Sequence, residues 1–366
     1  MHKLKIAILF GGRSAEHEVS LQSARNVIDS LDKELYEPVL IGIDKEGRWF
    51  LNENSLKVRD SGDPKLIRLM ENKHGVALTP NGSGSSLISL TTHKNLGKVD
   101  VIFPVLHGPF GEDGTVQGLA QLANLPCVGA GILGSAVGMD KDVMKRLLRD
   151  AGIPVGKFVT LTPGTRKNCN YRDLVAELGK ILYVKPANMG SSVGISRVGN
   201  LDEFQAALDL AFDYDIKVVV EEEIRGREIE CAILGNEDPV ASIPGEIIPR
   251  DGFYSYKAKY IDDDGAGLEI PARLTPAVVQ EVQEIAVATF RALECRGMAR
   301  VDVFLTEDDR VIVNEINTLP GFTPISMYPK LWEVTGVSHT ELVSRLINLA
   351  LDDFDKRNRL KVSVEL

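Results

Sequence analysis

The stretch MARVDVFLTEDDRVIVNEINTLPG, residues 298–321, carries the clearest structural pattern in the chain. Two apolar runs flank the polar segment TEDDR, and this arrangement predicts a β-hairpin. Because side chains alternate between the two faces of a strand, Arg300 and Asp302 share one face of the first strand. Glu315 and Asn317 likewise share one face of the second strand. The hairpin therefore gathers charged and polar side chains on one surface.

The register across this hairpin depends on its turn. If Asp308–Asp309 is a two-residue turn, Asp302 lies opposite Glu315 and Arg300 lies opposite Asn317, with the β-carbons of opposed residues roughly 4.5–5.5 Å apart. Two facing carboxylates repel each other, so the arrangement indicates a cation between them. Hard oxygen ligands without His or Cys favour Mg²⁺ or Mn²⁺, and few protein ligands leave room for phosphate oxygens. The alternative is an edge hairpin with solvent-facing carboxylates, but the adjacent loop TLPGFT favours a metal–nucleotide site.

A glycine- and serine-rich loop, ANMGSSVGIS at residues 187–196, follows a predicted strand that carries Lys185. Backbone N–H groups in such a loop can close over phosphate, and Lys185 adds a positive charge. The loop is not a Walker A motif, because no GK[ST] follows, and GGRSAE at 11–16 does not match GxGxxG. Lys141, at the start of a predicted helix, can also reach a phosphate. A surface turn and a solvated lysine remain the alternative interpretations.

The order of patterns along the chain indicates a mixed α/β and α+β fold. The strand KIAILF, then Gly11–Gly12 and an amphipathic helix, begin an α/β unit to which the strand VDVIFPVL at 99–106 belongs. The helix at 139–152 has Val143, Met144, Leu147 and Leu148 directed inward, and a strand, loop, helix and strand follow it. The predicted domains are residues 1–129, 130–221 and 222–366.

Bulk composition excludes several classes of protein. The 366 residues exceed one core of usual size. A net charge of −10 argues against nucleic-acid binding, which needs clustered Lys and Arg. The four cysteines form no CxxC pair, and the apolar run Ile6–Phe10 is shorter than a signal-peptide core or a membrane span. A cytoplasmic protein without a membrane partner is expected.

Seven motifs, in order along nearly the whole chain, resemble the D-alanine:D-alanine ligases. They are GGRSAEHEVS, HGPFGEDGTVQG, MDKDVMKRLL, VKPANMGSSVG, KAKYID, GMARVDVF and NEINTLPGFTPISMYP. The resemblance implies an ATP-grasp fold with an N-terminal Rossmann-like domain. It also implies ATP, Mg²⁺ or Mn²⁺ as two ions per site, and a homodimer, and it leaves open whether K⁺ is a further cofactor.

The resemblance also implies roles for individual residues. Glu16 corresponds to the carboxylate that holds the ammonium of the first D-alanine, and His107 lies near that substrate. Arg300 and the backbone N–H of Gly321 face the reacting carbonyl. The residues implied to bind ATP are Lys141, Lys185, Ser191, Glu221, Glu222, Ile224 and Glu228; the magnesium ligands are Asp302, Glu315 and Asn317; Ser326 and Lys259 receive the second substrate; Ser191 and Tyr260 link Glu16 to the loop over the site.

The implied reaction is ATP-dependent formation of D-alanyl-D-alanine through a D-alanyl phosphate, for peptidoglycan precursor synthesis. A D-alanine:D-lactate ligase is the nearest alternative, and Tyr260 argues against it because the resembling depsipeptide enzymes lack tyrosine there. A non-catalytic nucleotide-binding regulator is disfavoured by the intact residues of the hairpin. Another ATP-grasp ligase, such as a carboxylase, leaves SAEHEVS unexplained.

Overall fold

The computed structural model of the chain describes residues 3–52, 74–80, 86–249, 266–361 and 363. Its N-terminal sheet has the strand order β3-β2-β1-β7, in which β1 is parallel to both β2 and β7. A separate three-stranded antiparallel sheet, β4-β5-β6, is formed by the segment between β3 and β7. The N-terminal elements are β1 (Leu4–Gly11), α1 (His17–Ser30), β2 (Tyr36–Ile43), β3 (Trp49–Leu51), β4 (Val76–Thr79), β5 (Ser86–Ser89), β6 (Asn95–Lys98), β7 (Val101–Val105) and α2 (Thr115–Leu122).

Strand β1 is apolar from Ile6 to Phe10 because both of its faces are covered there. Residues Ile6–Phe10 are at most 1% exposed, as expected for a central strand between parallel neighbours. Gly11 ends the strand with φ 89°, and a β-carbon there would lie 2.2 Å from the backbone oxygen of Ile43. The turn into α1 therefore requires glycine. The predicted N-terminal α/β unit is confirmed.

Two further antiparallel sheets follow along the chain. The first has the order β10-β9-β11-β8, and the second has the order β15-β14-β12-β16-β17, with β13 paired to β12. The next elements are α3 (Ile132–Met139), α4 (Lys141–Asp150), β8 (Phe158–Leu161), α5 (Pro163–Arg166), α6 (Tyr171–Leu178), β9 (Leu182–Pro186), β10 (Ser196–Val198), α7 (Leu201–Tyr214) and β11 (Val218–Glu222). The last elements are β12 (Arg227–Gly235), β13 (Val240–Ala241), β14 (Gly245–Pro249), β15 (Ala266–Glu269), α8 (Pro276–Ala292), β16 (Gly297–Leu305), β17 (Val311–Asn317), α9 (Met327–Val334) and α10 (His339–Asn358).

Packing connects segments that are far apart in sequence. Phe10 and Phe103 of the N-terminal sheet share one core cluster with Trp332 of α9 and Leu346 of α10. Helices α3 and α4 pack with the last sheet, since Met144 shares a cluster with strands β12, β16 and β17. The sheet β10-β9-β11-β8 has its own core with α6 and α7. The division at residues 129 and 221 stays a prediction, and in the packing the helices of 132–150 accompany the last sheet.

Helix α1 also fixes the loop that follows β17. Asn26 Nδ2 donates to the backbone oxygen of Phe322 at 2.8 Å, and the Phe322 N–H donates to Ser23 Oγ at 3.1 Å. The Phe322 ring meets Phe103 edge-on, with the ring centroids 6.3 Å apart. This loop is thereby held against the N-terminal sheet. Among the helices of the described residues, none has the length and apolar character needed to cross a membrane.

Candidate active site

The hairpin of β16 and β17 has the predicted pairing. Asp302 lies opposite Glu315, and Arg300 lies opposite Asn317. The predicted two-residue turn is wrong, because Leu305 pairs with Val311 and five residues, 306–310, connect the strands. A register shift next to Asp302 compensates for the different turn. A β-bulge places one extra residue in one strand, and here it restores the pairing at the carboxylates.

Arg300 is held by carboxylates on two strands. Its Nε and Nη2 donate to Oδ1 and Oδ2 of Asp302, each at 2.7 Å, and Nε lies 2.8 Å from Glu230 Oε2. Burial acts to lower the pKa of Arg300, but the charges of Asp302 and Glu230 outweigh it and hold that pKa well above its ordinary value. The guanidinium is therefore a permanent, fixed positive charge.

The donor set of the hairpin suits a hard divalent cation. Asp302 and Glu315 contribute carboxylate oxygens, and Asn317, whose Nδ2 donates to Asp302 Oδ2 at 3.0 Å, contributes an amide. Within the described ranges, no three or more His, Cys, Asp or Glu side chains are arranged to enclose a metal by themselves. A cation here would need further ligands, which agrees with the preference of Mg²⁺ for one or two carboxylates plus phosphate oxygens.

Two cavities meet at this hairpin. The arginine cavity is lined by eight of the predicted site residues, which are Glu16, His107, Ser191, Arg300, Glu315, Asn317, Gly321 and Ser326. The lysine cavity is lined by another set, which is Lys141, Lys185, Ser191, Glu221, Glu222, Ile224, Glu228 and Glu315. Ser191 and Glu315 line both cavities, so they stand at the junction. Lys259 and Tyr260 lie outside the described residues.

The lysine cavity has a buried charge cluster in its wall. Lys185 Nζ lies 2.8 Å from Glu221 Oε2, and Lys145 Nζ lies 3.4 Å from Glu221 Oε1. Lys141 donates to the backbone oxygen of Met189 at 2.7 Å and lies 3.6 Å from Glu315 Oε2. Lys141 and Lys185 thus bring two ammonium groups to the lining of the cavity, where they can attract phosphate, and Lys145 pairs with Glu221 outside that lining.

Helix α4 positions two of these lysines. Asp140 caps the helix by accepting from the backbone N–H groups of Asp142 and Val143. Lys141 and Lys145, four residues apart, occupy the buried stripe of the helix, whereas Leu147, predicted to face inward, is 38% exposed. Residues four apart share a helix face, and the acidic partners of these lysines make their burial tolerable.

Ser191 joins the glycine-rich loop to the N-terminal region. Its hydroxyl donates to Glu16 Oε1, and its backbone has the left-handed φ of 52°. Non-glycine residues adopt that region infrequently, and such residues often occur at functional sites. The contact brings together two predicted site residues that are 175 positions apart.

The loop between β7 and α2 places His107 and a second carboxyl group, that of Glu112, at the arginine cavity. His107 has its ring nitrogens 3.2 Å from Ser23 Oγ and 3.2 Å from the backbone oxygen of Leu319, and burial lowers the pKa of His107. Burial and the charge of Glu16 raise the pKa of Glu112 to about 8, although Glu112 accepts from the Gly108 N–H at 2.8 Å.

Sequence reasoning missed Glu112, Lys145 and Glu230. Glu112 lies within the glycine-rich HGPFGEDG, where a polar side chain is typical of a surface loop. Lys145 lies at helical spacing from Lys141, which was the signal that could have identified it. Glu230 gave no signal, because its partners are on strands distant in sequence.

Two models of one protein family match this chain, one after the other. Residues 5–130 match the model for the D-ala D-ala ligase N-terminus, and residues 147–348 match the model for the D-ala D-ala ligase C-terminus. The D-alanine–D-alanine ligase of Oceanobacillus iheyensis is 52% identical over 361 residues, which are 99% of both chains. The D-alanine–D-alanine ligase A of Escherichia coli is 50% identical over 364 residues, covering both chains completely.

Solved structures give the same result. The D-alanine-D-alanine ligase from Coxiella burnetii superposes with a TM-score of 0.85 at 39% identity, covering 98% of this chain and 97% of that chain. The VanG D-Ala:D-Ser ligase from Enterococcus faecalis gives 0.83 at 37% identity, covering 95% and 100%. The fold and site define an ATP-grasp enzyme with an additional N-terminal domain. Within that class, the chain belongs to the D-alanine–D-alanine ligase family.

Proposed function

We propose that this enzyme joins two D-alanine molecules into D-alanyl-D-alanine, with ATP converted to ADP and phosphate through a D-alanyl phosphate intermediate. The observation that carries the proposal is the meeting of the two cavities at Ser191 and Glu315. A nucleotide in the lysine cavity would direct its terminal phosphate at a carboxylate in the arginine cavity. The full-length relatives named D-alanine–D-alanine ligase support D-alanine as both substrates.

The first step activates a carboxylate. A carboxylate oxygen of the first D-alanine attacks the γ-phosphorus, the bond to the β-phosphate oxygen breaks, and ADP leaves. Lys141 and Lys185 neutralise the charge on the phosphates, and Glu16 binds the substrate ammonium. Catalysis of this kind is mainly positioning and charge neutralisation. His107 lines the same cavity as Glu16, which supports its implied place near the first D-alanine.

The second step forms the amide. The second D-alanine loses a proton from its ammonium group, and the free amine attacks the acyl carbon. The tetrahedral oxyanion collapses as the bond to phosphate breaks. Arg300 and the Gly321 N–H stabilise the oxyanion, and Ser326 receives the carboxylate of the second D-alanine. Lys259 at that carboxylate, and Tyr260 in contact with Ser191, are assigned from the resemblance alone.

Two divalent ions, Mg²⁺ or Mn²⁺, would be held by Asp302, Glu315 and Asn317. Such ions supply neutralisation of the charge that develops on the transferred phosphoryl group. The resemblance implies that Glu315 would be the ligand shared by both ions, and its place in the lining of both cavities supports this. Adenine would lie along residues 221–224, with Glu228 at the ribose.

The wider setting follows from the family. We propose that the enzyme acts in the cytoplasm in cell-wall precursor synthesis, with small molecules as its substrates. We also propose a homodimer formed through residues 1–129. Light scattering at micromolar concentration checks the dimer, and a monomeric mass would remove it without affecting the chemistry.

Phosphate release tests the activity. The purified enzyme, ATP and Mg²⁺ are incubated with D-alanine, and product is identified by mass spectrometry. L-alanine should give no product. When D-serine or D-lactate is offered together with D-alanine, the mixed product should be less abundant than D-alanyl-D-alanine. The D-serine arm is included because one structural neighbour is a D-Ala:D-Ser ligase. ATP turnover without dipeptide, or mainly a D-serine or D-lactate product, would refute the assignment.

A further inference from the structure

A third carboxylate stands in line with the two carboxylates of the hairpin. Glu230 on β12 lies opposite Asp302 on β16, which lies opposite Glu315 on β17. Directly opposed residues share a face of the sheet. Glu230 is only 7% exposed and lines the arginine cavity together with Arg300. Three adjacent strands therefore present a row of carboxylates to the same surface.

Arg300 lies within reach of two members of that row. Its Nε is 2.7 Å from Asp302 Oδ1 and 2.8 Å from Glu230 Oε2. Nε of arginine carries one hydrogen, and a well-directed hydrogen bond serves one acceptor at a time. Here that hydrogen is donated to Asp302, with Glu230 at a similar distance. The guanidinium therefore has two carboxylate partners.

Asp302 has two competing tasks under the proposed function. Both of its oxygens accept from Arg300, and Oδ2 also accepts from Asn317. A divalent cation at the same carboxylate would compete with the guanidinium, since two positive groups repel. Removing the last partner of a buried charge is strongly unfavourable. Arg300 can release Asp302 only if another carboxylate accepts it.

We propose that Glu230 is a positioning residue, the second anchor that retains Arg300 at the arginine cavity while Asp302 binds the metal. The inference rests on the proposed function. It differs from a purely structural role, in which Glu230 only neutralises a buried arginine. A structural role predicts lower stability for a Glu230 variant and an unchanged response to Mg²⁺.

Calorimetric titration with ADP, once in EDTA and once in saturating Mg²⁺, separates the two roles. The ratio of the two dissociation constants measures how far the metal tightens ADP binding. Glu230→Met should lower this ratio about tenfold, within the roughly 10–100-fold range for residues that support metal ligands, and ADP affinity in EDTA should stay unchanged. Glu230→Gln should give a ratio between those of the parent and Glu230→Met, because its amide oxygen still accepts from Arg300 Nε but carries no charge.

A matched control lies on the same sheet. Glu246 is a buried strand glutamate, 8% exposed, that accepts from Arg227 Nε at 2.9 Å and lies outside the lining of the arginine cavity. Glu246→Gln removes the charge of a buried strand glutamate whose partner, Arg227, has a 40% exposed side chain, and it should leave the Mg²⁺ ratio at the parent value.

A double-mutant cycle with Arg300→Met decides the mechanism. If Glu230 acts through Arg300, then Glu230→Met should not lower the ratio further in the Arg300→Met background. The same loss in both backgrounds would overturn the inference, because Glu230 would then act on the metal directly. A parent ratio of one, or a parent-like ratio in Glu230→Met, would overturn it too. Thermal unfolding checks each variant, and Glu230→Gln replaces Glu230→Met in the cycle if the latter does not fold.

The titrations contain no D-alanine, so they are independent of the ligase activity. A parent enzyme that binds Mg²⁺ and ADP but makes no dipeptide would refute the proposed function and leave the cycle interpretable. An active parent with an unaffected Glu230→Met ratio would refute the anchor alone.

Discussion

Replacing Glu221 with glutamine removes the counter-charge that two buried lysines share. Glu221, Lys185 and Lys145 have side chains that are 8%, 11% and 2% exposed. Burial alone would raise the pKa of Glu221, but the charges of Lys145 and Lys185 outweigh it and lower that pKa to about 2. Burial likewise lowers the pKa of Lys145, so its charged form depends on this carboxylate. Glutamine keeps the shape of the side chain and removes only the charge.

The expected cost follows from the same shift. A carboxyl pKa lowered from 4.5 to about 2, at about 1.4 kcal/mol per pH unit, corresponds to roughly 3 kcal/mol of folding free energy. Removing one partner of a buried ion pair typically costs about 3–5 kcal/mol. The two estimates agree, and we expect Glu221→Gln to lose roughly 3 kcal/mol.

The dependence on pH has a definite sign. Because the pKa of Glu221 is lower in the folded state than in the unfolded state, its contribution is complete above about pH 4.5 and disappears as the pH falls toward 2. The stability difference between parent and Glu221→Gln should therefore be constant from pH 7 to 5 and shrink below pH 4.5.

Urea unfolding followed by circular dichroism measures the loss, and hydrogen exchange of β9 and β11 shows whether it is located in their sheet. Glu223→Gln is the control, since Glu223 is near the same strand end but pairs at 2.8 Å with Arg197, whose side chain is 50% exposed. Such exposed pairs contribute about 0–1 kcal/mol. Lys145→Met combined with Glu221→Gln should recover part of the loss. A Glu221→Gln variant within 1 kcal/mol of the parent, or a stability difference that is as large at pH 3 as at pH 7, would refute the reasoning.

Two further predictions concern the chemistry of the site. Asp302→Asn and Glu315→Gln should each leave a folded protein and reduce dipeptide synthesis by orders of magnitude, because a neutral amide cannot offset the charge of Mg²⁺ and several kcal/mol of transition-state stabilisation are lost. Near-normal synthesis at saturating Mg²⁺ would contradict the hairpin site. Tyr260→Phe should loosen acceptor selectivity, and Tyr260→His should favour D-lactate at lower pH, where imidazolium forms. The ratio of D-Ala-D-Lac to D-Ala-D-Ala from about pH 6 to 9 measures this, and a histidine variant whose ratio does not rise on acidification would contradict it.

Local patterns in the sequence predicted strand faces and secondary structure. Alternation along residues 298–317 assigned Arg300 and Asp302 to one face, because the two-residue repeat is a property of any extended backbone. The predicted register at Asp302 and Glu315 is confirmed although the turn differs, since the bulge next to Asp302 restores it. Apolar periodicity likewise predicted β1 and α1, and the family motifs indicated site residues that line the two cavities.

Contacts between residues that are distant in sequence depend on the complete fold. Glu230 joins the carboxylate row because β12 lies beside β16, and no local pattern encodes the order of strands in a sheet. Lys145 is buried because Glu221, on a strand more than 70 residues later, supplies its counter-charge. Leu147 is exposed because it lies outside the buried stripe of α4, which contains Met144 and Leu148 as well as Lys145. Backbone geometry repeats along the chain and can be read locally, whereas the free energy of burying a charge depends on a partner brought near only by the complete fold.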